Sequence, residues 1–546
     1  MARWILPGLI LLSFLLRVVA IDKFPIGLNP DEASFGYDAY SLLKTGRDQW
    51  GNSWPLSLHS FGDYKLPLYS YLAIPFVALI GLGEFATRLP NALFGALAVV
   101  ATYLLVIELF KNKKLALASA FLLAISPWHI LLSRGAFEAN LTTFFIPFGI
   151  WSFYKGLKDP KWLIVSAIVF GINLFSYHSA RLVTPLIVFA LWFYNRRQVS
   201  VNRNIAPLVI FVVYGLVAGW TLLSGGAARG SDVAIFNPTD HGEATFQRRF
   251  EGTVLGLPDQ VSRLFSNKYT FVFDQFIKNY STYFSPQFLF TEGPIERTYG
   301  MMPGFGVLYI VESIFILFAF ITLVKKKDWG VFKLLILWLV LAPIPAALAK
   351  GGGFAANRSA IMMPAIQIIS AYGLLAILEN YKKVKVLVFI VLAISFIFFA
   401  ESYLFHSPIQ SAPSMHYGKR EMVDITSKIE GNYSEIIVSR SLSEPHIFFA
   451  FFRAWNPEEY QKETQDWLRY KKEGRSFIDQ LGEYHLGKYT FTNIDFEINS
   501  QKENVLLIGK PDEFPRDIRP LNIVNLPNGK PVIYIVDPKK VNYASN

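Results

Sequence analysis

Cysteine is absent from the whole sequence, which excludes disulfides and thiolate-bound metals and leaves the redox compartment open. Two catalytic signatures are missing too. No G-x-S-x-G nucleophile elbow and no phosphate-binding P-loop occurs, so neither hydrolase nor ATPase chemistry has support. No short repeat period appears, and no low-complexity stretch marks a linker. What the sequence has in abundance is apolar side chains. Hydrophobic residues fill 52% and aromatic residues 16% of its 546 positions, and the mean hydropathy is +0.33, which excludes an ordinary soluble enzyme. The net charge of +11 would suit a nucleic-acid binder. However, the Lys and Arg cluster in short loops between apolar runs, the pattern that orients membrane proteins. The expected partner is the lipid bilayer, and no nucleic acid is expected.

Apolar runs of about 20 residues recur, each long enough for a ~30 Å hydrocarbon core. In order they fall at 4–21, 88–110, 115–133, 137–154, 162–178, 181–194, 205–224, 304–324, 330–349, 358–378 and 385–404. Arg17 inside the first run, and the many runs behind it, favour an uncleaved first helix over a signal peptide ending near Ala20. A further segment, "LPLYSYLAIPFVALIGLG" at 66–83, is short and carries Pro67 and Pro75. If it does not span, the basic clusters at 111–114, 158–161, 195–198, 325–327 and 381–385 share one side with Arg3. If it does span, that agreement fails. The segment is therefore expected on or in the outer leaflet. The sequence predicts an α-helical polytopic membrane protein with about eleven transmembrane helices, set in the plasma (inner) membrane with a cytoplasmic N-terminus. Residues 1–405 make the transmembrane domain, with extracytoplasmic loops 22–87 and 225–303. Residues 406–546 change character. "YSEIIVSRS", "ENVLLIGK" and "KPVIYIVD" are β-like, while "NPEEYQKETQDWLRYKKEG" is polar and helical, so this part reads as a small extracytoplasmic α/β domain.

The first loop opens with two adjacent acids, Asp31 and Glu32. Asn29 can cap a helix there, and Pro30 suits its first position. Acids in the first turn oppose the helix dipole, while Phe35, Ala39, Leu42 and Leu43 share one face ahead of a stop at Gly46. Residues 30–45 thus read as an amphipathic helix on the membrane. Capping explains one acid without requiring two.

The ordered set "NPDEASFGYDAYSLLKTGRDQWG", "SFGDYKLPLYSYL", "FATRLPNALFGAL" and "SPWHILLSRGAFEAN" resembles the polyprenol-phosphate-dependent glycosyltransferases of the GT-C class. It is most similar to the bacterial family related to protein O-mannosyltransferases and aminoarabinose transferases. The likeness spans roughly residues 28–190, fades to 405 and is unspecific beyond. The resemblance implies a sugar carried on a polyprenyl phosphate, with attack on its anomeric carbon by a hydroxyl or amine of a lipid, glycan or protein acceptor. It also implies that Asp31 and Glu32 match the family's first-loop acids and Lys65 the Lys ahead of "PLY". That chemistry needs a carboxylate to take the acceptor proton and cations to hold the departing phosphate. Asp31 is expected as the base. Glu32 is left between orienting the acceptor, holding a divalent cation and completing the helix turn.

Other ionisable residues converge on the same leaflet, where their cost suggests a functional cavity. Arg134 and Glu138 fall at one outer end, His178 and Arg181 at another, and Lys350 and Arg358 in a third loop. Arg181 and Arg358 are candidate phosphate contacts beside Lys65, Arg358 because neighbouring glycines free backbone amides for an anion. Tyr64, Arg134, Glu138 and His178 are candidate substrate contacts. Arg134 and Arg181 equally suit snorkelling to headgroups, His178 suits a packing role, and Arg88 reads as an interfacial anchor. No His/Asp/Glu spacing asserts a metal, so metal dependence stays open. Two rival readings remain, a lipid or sugar transporter and a membrane scaffold. A transporter would place its charges at the midplane, and a scaffold would not need the set Asp31, Lys65 and Arg358.

Overall fold

The structure is a computed structural model that describes residues 4–198, 205–223, 234–327, 329–475 and 477–540. The expected loop 225–303 therefore begins outside the described residues. Helix α1 (Ile5–Val18) leads through a loop to α2 (Pro30–Thr45), whose start follows from its sequence. The Asn29 side chain accepts the Asp31 backbone N–H, and the Glu32 carboxylate reaches back to the Asn29 N–H, which completes a capping box. Gly46 ends α2 at φ 68°, a left-handed conformation that costs glycine nothing.

A two-residue ladder of β1 (Leu58–His59) against β2 (Tyr64–Lys65) follows, then α3 (Leu68–Ile80) and α4 (Glu84–Phe110). The 13 residues of α3 measure about 20 Å at 1.5 Å each, short of the ~30 Å needed to cross a bilayer. By the same measure the 27 residues of α4 reach about 40 Å. Helices α5 (Lys113–Ile125) and α6 (Pro127–Arg134) meet at a bend of 55°. Pro127 lacks an N–H and pushes Ser126 out of helical conformation, which breaks the run there. The chain continues through α7 (Thr142–Gly156), α8 (Lys161–Asn173), α9 (His178–Asn195) and α10 (Ile205–Thr221).

Among the described residues, Glu84–Phe110, Ala360–Asn380 and Lys382–Ser411 are long and apolar enough to cross a membrane. The bent pair α5–α6 is a fourth if it counts as one span. The expected figure of about eleven came from the lengths of apolar runs. Several of those runs fold into helices of 13 to 18 residues, interrupted by Pro and polar side chains that a hydropathy reading passes over.

Towards the C-terminus, six strands form one sheet in the order β4-β5-β3-β6-β8-β7. Strands β3 (Glu435–Ser439), β6 (Val505–Gly509) and β8 (Pro531–Val536) come from the three apolar runs noted above. The short β4 (Tyr484–Leu486), β5 (Tyr489–Thr492) and β7 (Asn522–Asn525) carried too little signal to be expected. Central β3 pairs in parallel with β5 and β6, and its Ile-Ile-Val stretch is buried, as a strand covered on both faces requires.

The first loop belongs to the core of this C-terminal unit. Leu28, Ala33, Tyr37 and Trp50 share one apolar cluster with Phe448, Phe449, Phe451, Tyr460 and Trp467. At Gly36 a Cβ would stand 2.4 Å from the Thr87 hydroxyl and 2.6 Å from the Phe451 ring. Only glycine lets α2 sit this close to both α4 and the C-terminal unit. The helix that carries the acidic pair is thus held between the two halves of the molecule.

Candidate active site

The structure separates the two acids. Glu32 is fully buried, and four donors fill its carboxylate. Oε1 accepts from Arg88 Nε at 2.9 Å and from the Ala136 N–H at 2.8 Å. Oε2 accepts from an Arg88 terminal nitrogen at 3.0 Å and from the Asn29 N–H at 3.1 Å. Arg88 spends its remaining N–H groups on the carbonyls of Ile21, Pro25 and Gly27. All five donors of its planar fork are therefore used. Arg88 is thus a buried partner rather than the interfacial anchor expected from sequence, and Glu32 is occupied in positioning the loop.

Asp31 is one residue earlier and rotated away. Its side chain is 46% exposed, and its Oδ1 lies 3.4 Å from Lys65 Nζ. Lys65 is almost buried, with its ammonium over the Phe35 ring at 4.5 Å and the Phe61 ring at 5.2 Å, so strand β2 points one desolvated cation at one accessible carboxylate. Two further acids of the same stretch turn inward. Asp38 accepts from the Gln49 backbone and side chain, and burial followed by the nearby Asp48 pushes its carboxyl up to about 8. Asp48 accepts the backbone N–H groups of Trp50 and Asn52 and ties off the following turn.

Around Asp31 the structure gathers residues from distant segments. The Tyr299 hydroxyl is held well above its ordinary range, chiefly by burial and then by the charges of Asp31, Glu138 and Glu296, against which Arg358 acts. One tyrosine thus lies within electrostatic reach of three carboxylates and an arginine. Arg358 stands 3.9 Å from Glu296 Oε1 and donates to the Lys350 carbonyl at 3.2 Å. Two pairs are in contact, Asp31 with Lys65 and Glu296 with Arg358, and the Asn29 side chain donates to the Thr298 carbonyl at 2.7 Å, which seats the loop of Glu296 and Tyr299 against the start of α2. Tyr299 and Glu296 escaped the sequence reading because they lie in no run whose spacing carries a chemical signature.

The other candidates have different partners. Arg134 donates to the carbonyls of Leu16, Val19 and Ala20 and to the Tyr403 hydroxyl, so it caps the end of α1. Arg181 donates to the Leu174 carbonyl and the Thr221 hydroxyl and ties the end of α8 to α10. His178 Nε2 stands 3.3 Å from the Tyr64 carbonyl, and the Tyr64 hydroxyl accepts from Lys471 of the C-terminal unit. His178 and Lys471 therefore both meet β2 at Tyr64, the neighbour of Lys65. Among the described residues no three His, Asp or Glu side chains come together in a metal-holding group.

Comparison with known proteins agrees with this architecture. Residues 64–222 match the family model described as dolichyl-phosphate-mannose-protein mannosyltransferase. Dolichyl-phosphooligosaccharide-protein glycotransferase 2 of Archaeoglobus fulgidus is 28% identical over 200 residues, which cover 35% of this chain and 31% of that protein. YkcB of Bacillus subtilis, provisionally named a mannosyltransferase, is 26% identical over 149 residues, 27% of this chain and 20% of that one. The chain thus spans a third or less of the length of the curated relatives it matches. The crystal structure of ArnT from Cupriavidus metallidurans bound to undecaprenyl phosphate superposes with a TM-score of 0.51 at 11% identity. It covers 98% of this chain and 97% of that one, so the fold is shared from end to end. The chain is therefore a multi-pass membrane protein that shares the fold of ArnT and, over residues 64–222, is similar to the mannosyltransferase family.

Proposed function

We propose that this protein is an integral membrane glycosyltransferase. It moves a sugar from a polyprenyl phosphate to a hydroxyl or amine of a lipid, glycan or protein acceptor on the extracytoplasmic side. The observation that carries the reading is the geometry at Asp31. An accessible carboxylate faces a desolvated Lys at 3.4 Å, and Asn29 beside it holds the Thr298 carbonyl at 2.7 Å, on the loop whose Glu296 faces Arg358. In the reaction, Asp31 takes the proton of the acceptor O–H or N–H. The freed lone pair attacks the anomeric carbon, and the bond from that carbon to the phosphate oxygen breaks with its electrons passing to the phosphate. Lys65 and Arg358 hold the charge that develops there. Glu32 and Arg88 keep the loop in place and touch neither reactant.

Charge-assisted contacts to a phosphate are worth ~1.5–3 kcal/mol each, or about ten- to a hundredfold. Lys65→Ala and Arg358→Ala are each expected to weaken binding of undecaprenyl phosphate by that factor in detergent or nanodiscs. Unchanged affinity in both variants would remove them from the donor site.

Sidedness is supported by the ends of α4. Arg88 at one end meets the acidic loop. At the other end Glu108 takes Lys111 at 2.8 Å and Lys158 at 2.9 Å, which brings two basic clusters to one place. Following the positive-inside pattern, the acidic loop faces out. Single cysteines on the Cys-free background test this. Those at Lys44 and Lys502 are expected to react with an impermeant maleimide in intact cells, and those at Lys113 and Lys326 only after permeabilisation. Labelling at Lys113 in intact cells would invert the topology.

A further inference from the structure

Beside Arg358 lie two acceptor atoms that the reaction scheme above leaves unused. Glu296 Oε2 and Asn357 Oδ1 are both buried, and neither has a hydrogen-bond partner among the described residues. Asn357 as a whole is only 2% exposed. The two residues sit on separate loops that meet where the Ile295 N–H donates to the Phe354 carbonyl. The Asn357 backbone N–H faces the Glu296 carboxylate, so the two residues lie side by side. Buried polar atoms in folded proteins are almost always paired, and an unpaired one marks a place for a ligand or a stored cost.

The chemistry of the atoms narrows the ligand. A carboxylate oxygen and an amide oxygen only accept, so a hydrogen-bond donor or a cation completes them, and among the described residues no three His, Asp or Glu side chains gather here to hold a metal. Glu296 already faces a cation, Arg358, through its other oxygen at 3.9 Å. A phosphate has no hydrogen to offer at neutral pH and would be repelled by the carboxylate. A sugar hydroxyl donates readily, and adjacent hydroxyls present two O–H groups at the spacing of one small site. The Asn29 side chain donates to the Thr298 carbonyl at 2.7 Å, which seats the loop that carries Glu296 against the start of α2, two residues from Asp31.

We propose that Glu296 and Asn357 form the donor-sugar subsite, accepting hydrogen bonds from hydroxyls of the sugar whose phosphate is held by Arg358 and Lys65. The inference rests on the polyprenyl-phosphate reading. A site built to accept from hydroxyls discriminates strongly against ligands that lack them.

The test compares undecaprenyl phosphate with a panel of the same lipid carrying mannose, glucose or aminoarabinose, bound to full-length protein in nanodiscs. Wild type is expected to bind at least one sugar-bearing lipid more tightly than the bare lipid. Glu296→Gln and Asn357→Ala are each expected to reduce that preference about tenfold, as loss of a hydrogen bond to a buried acceptor would. Glu296→Gln is further expected to leave bare-lipid binding unchanged or stronger, because it removes a negative charge from beside the phosphate. Retained bare-lipid binding also shows that the variants are folded. A parallel loss for bare and sugar-bearing lipids would show that Glu296 merely steadies Arg358, and would overturn the subsite. Equal binding of bare and sugar-bearing lipids by wild type would overturn the subsite and leave the phosphate contacts standing. Binding of no lipid at all would overturn both.

Discussion

Asp31→Asn is expected to lower sugar transfer by ~10²-fold or more while folding is unaffected, because an amide cannot take the acceptor's proton. The substitution is nearly isosteric. The helix start does not depend on the carboxylate, since the cap is made by the Asn29 side chain and by Glu32, and Asp31 contributes only its backbone N–H. A mere dipole role would be worth ~0.3–1 kcal/mol, so a mild loss and a near-complete one are easily told apart. The measurement is transfer from a polyprenyl-phosphate sugar, alongside a melting curve. Full activity in Asp31→Asn would send the search for the base to Glu138.

The second large effect concerns stability. Glu32→Gln or Arg88→Ala leaves the other member of a fully buried pair uncompensated, at a cost of ~3–5 kcal/mol. Arg88→Ala also orphans the carbonyls of Ile21, Pro25 and Gly27. Both variants are expected to melt well below wild type or to fail to accumulate. Pairing Glu32→Leu with Arg88→Met is expected to recover only part of the loss. Removing the charges does nothing for the N–H groups of Asn29 and Ala136, which have no other acceptor in the loop. If Glu32→Gln melts like wild type and yet transfers no sugar, Glu32 belongs to the chemistry after all. Running the two acids side by side therefore separates a lost reaction from a lost fold.

The sequence revealed the acidic pair, the cap and the span of α2, because these are local, but not that α2 is buried on nearly every face instead of lying on the membrane with one apolar side. Asn29, Pro30 and Glu32 lie within four positions, and helix-start physics acts over that range. It could not divide labour between the acids, since the deciding partner, Arg88, is 56 residues away from Glu32. The same holds for Arg134, which looked like a substrate contact until its guanidinium was found on the end of α1. In the C-terminal unit, the apolar runs that became β3, β6 and β8 were visible. The strands of three or four residues were not, because so short a segment shows no period. Glu296 and Asn357 were beyond reach for another reason. Their interest lies in hydrogen bonds that go unmade, and only coordinates show those.

The five donors of Arg88 have a practical consequence for anyone who recombines related enzymes. Together they gather three carbonyls of the incoming loop and one carboxylate of α2 around a single guanidinium seated on α4. Residues 21–32 are thus no detachable cassette. A chimera that imports this stretch has to import the matching arginine on α4 and keep the Ala136 amide where it is. A crossover placed between residues 32 and 88 therefore works only when both parents carry the same arrangement, which makes this pair the natural junction rule for building hybrids.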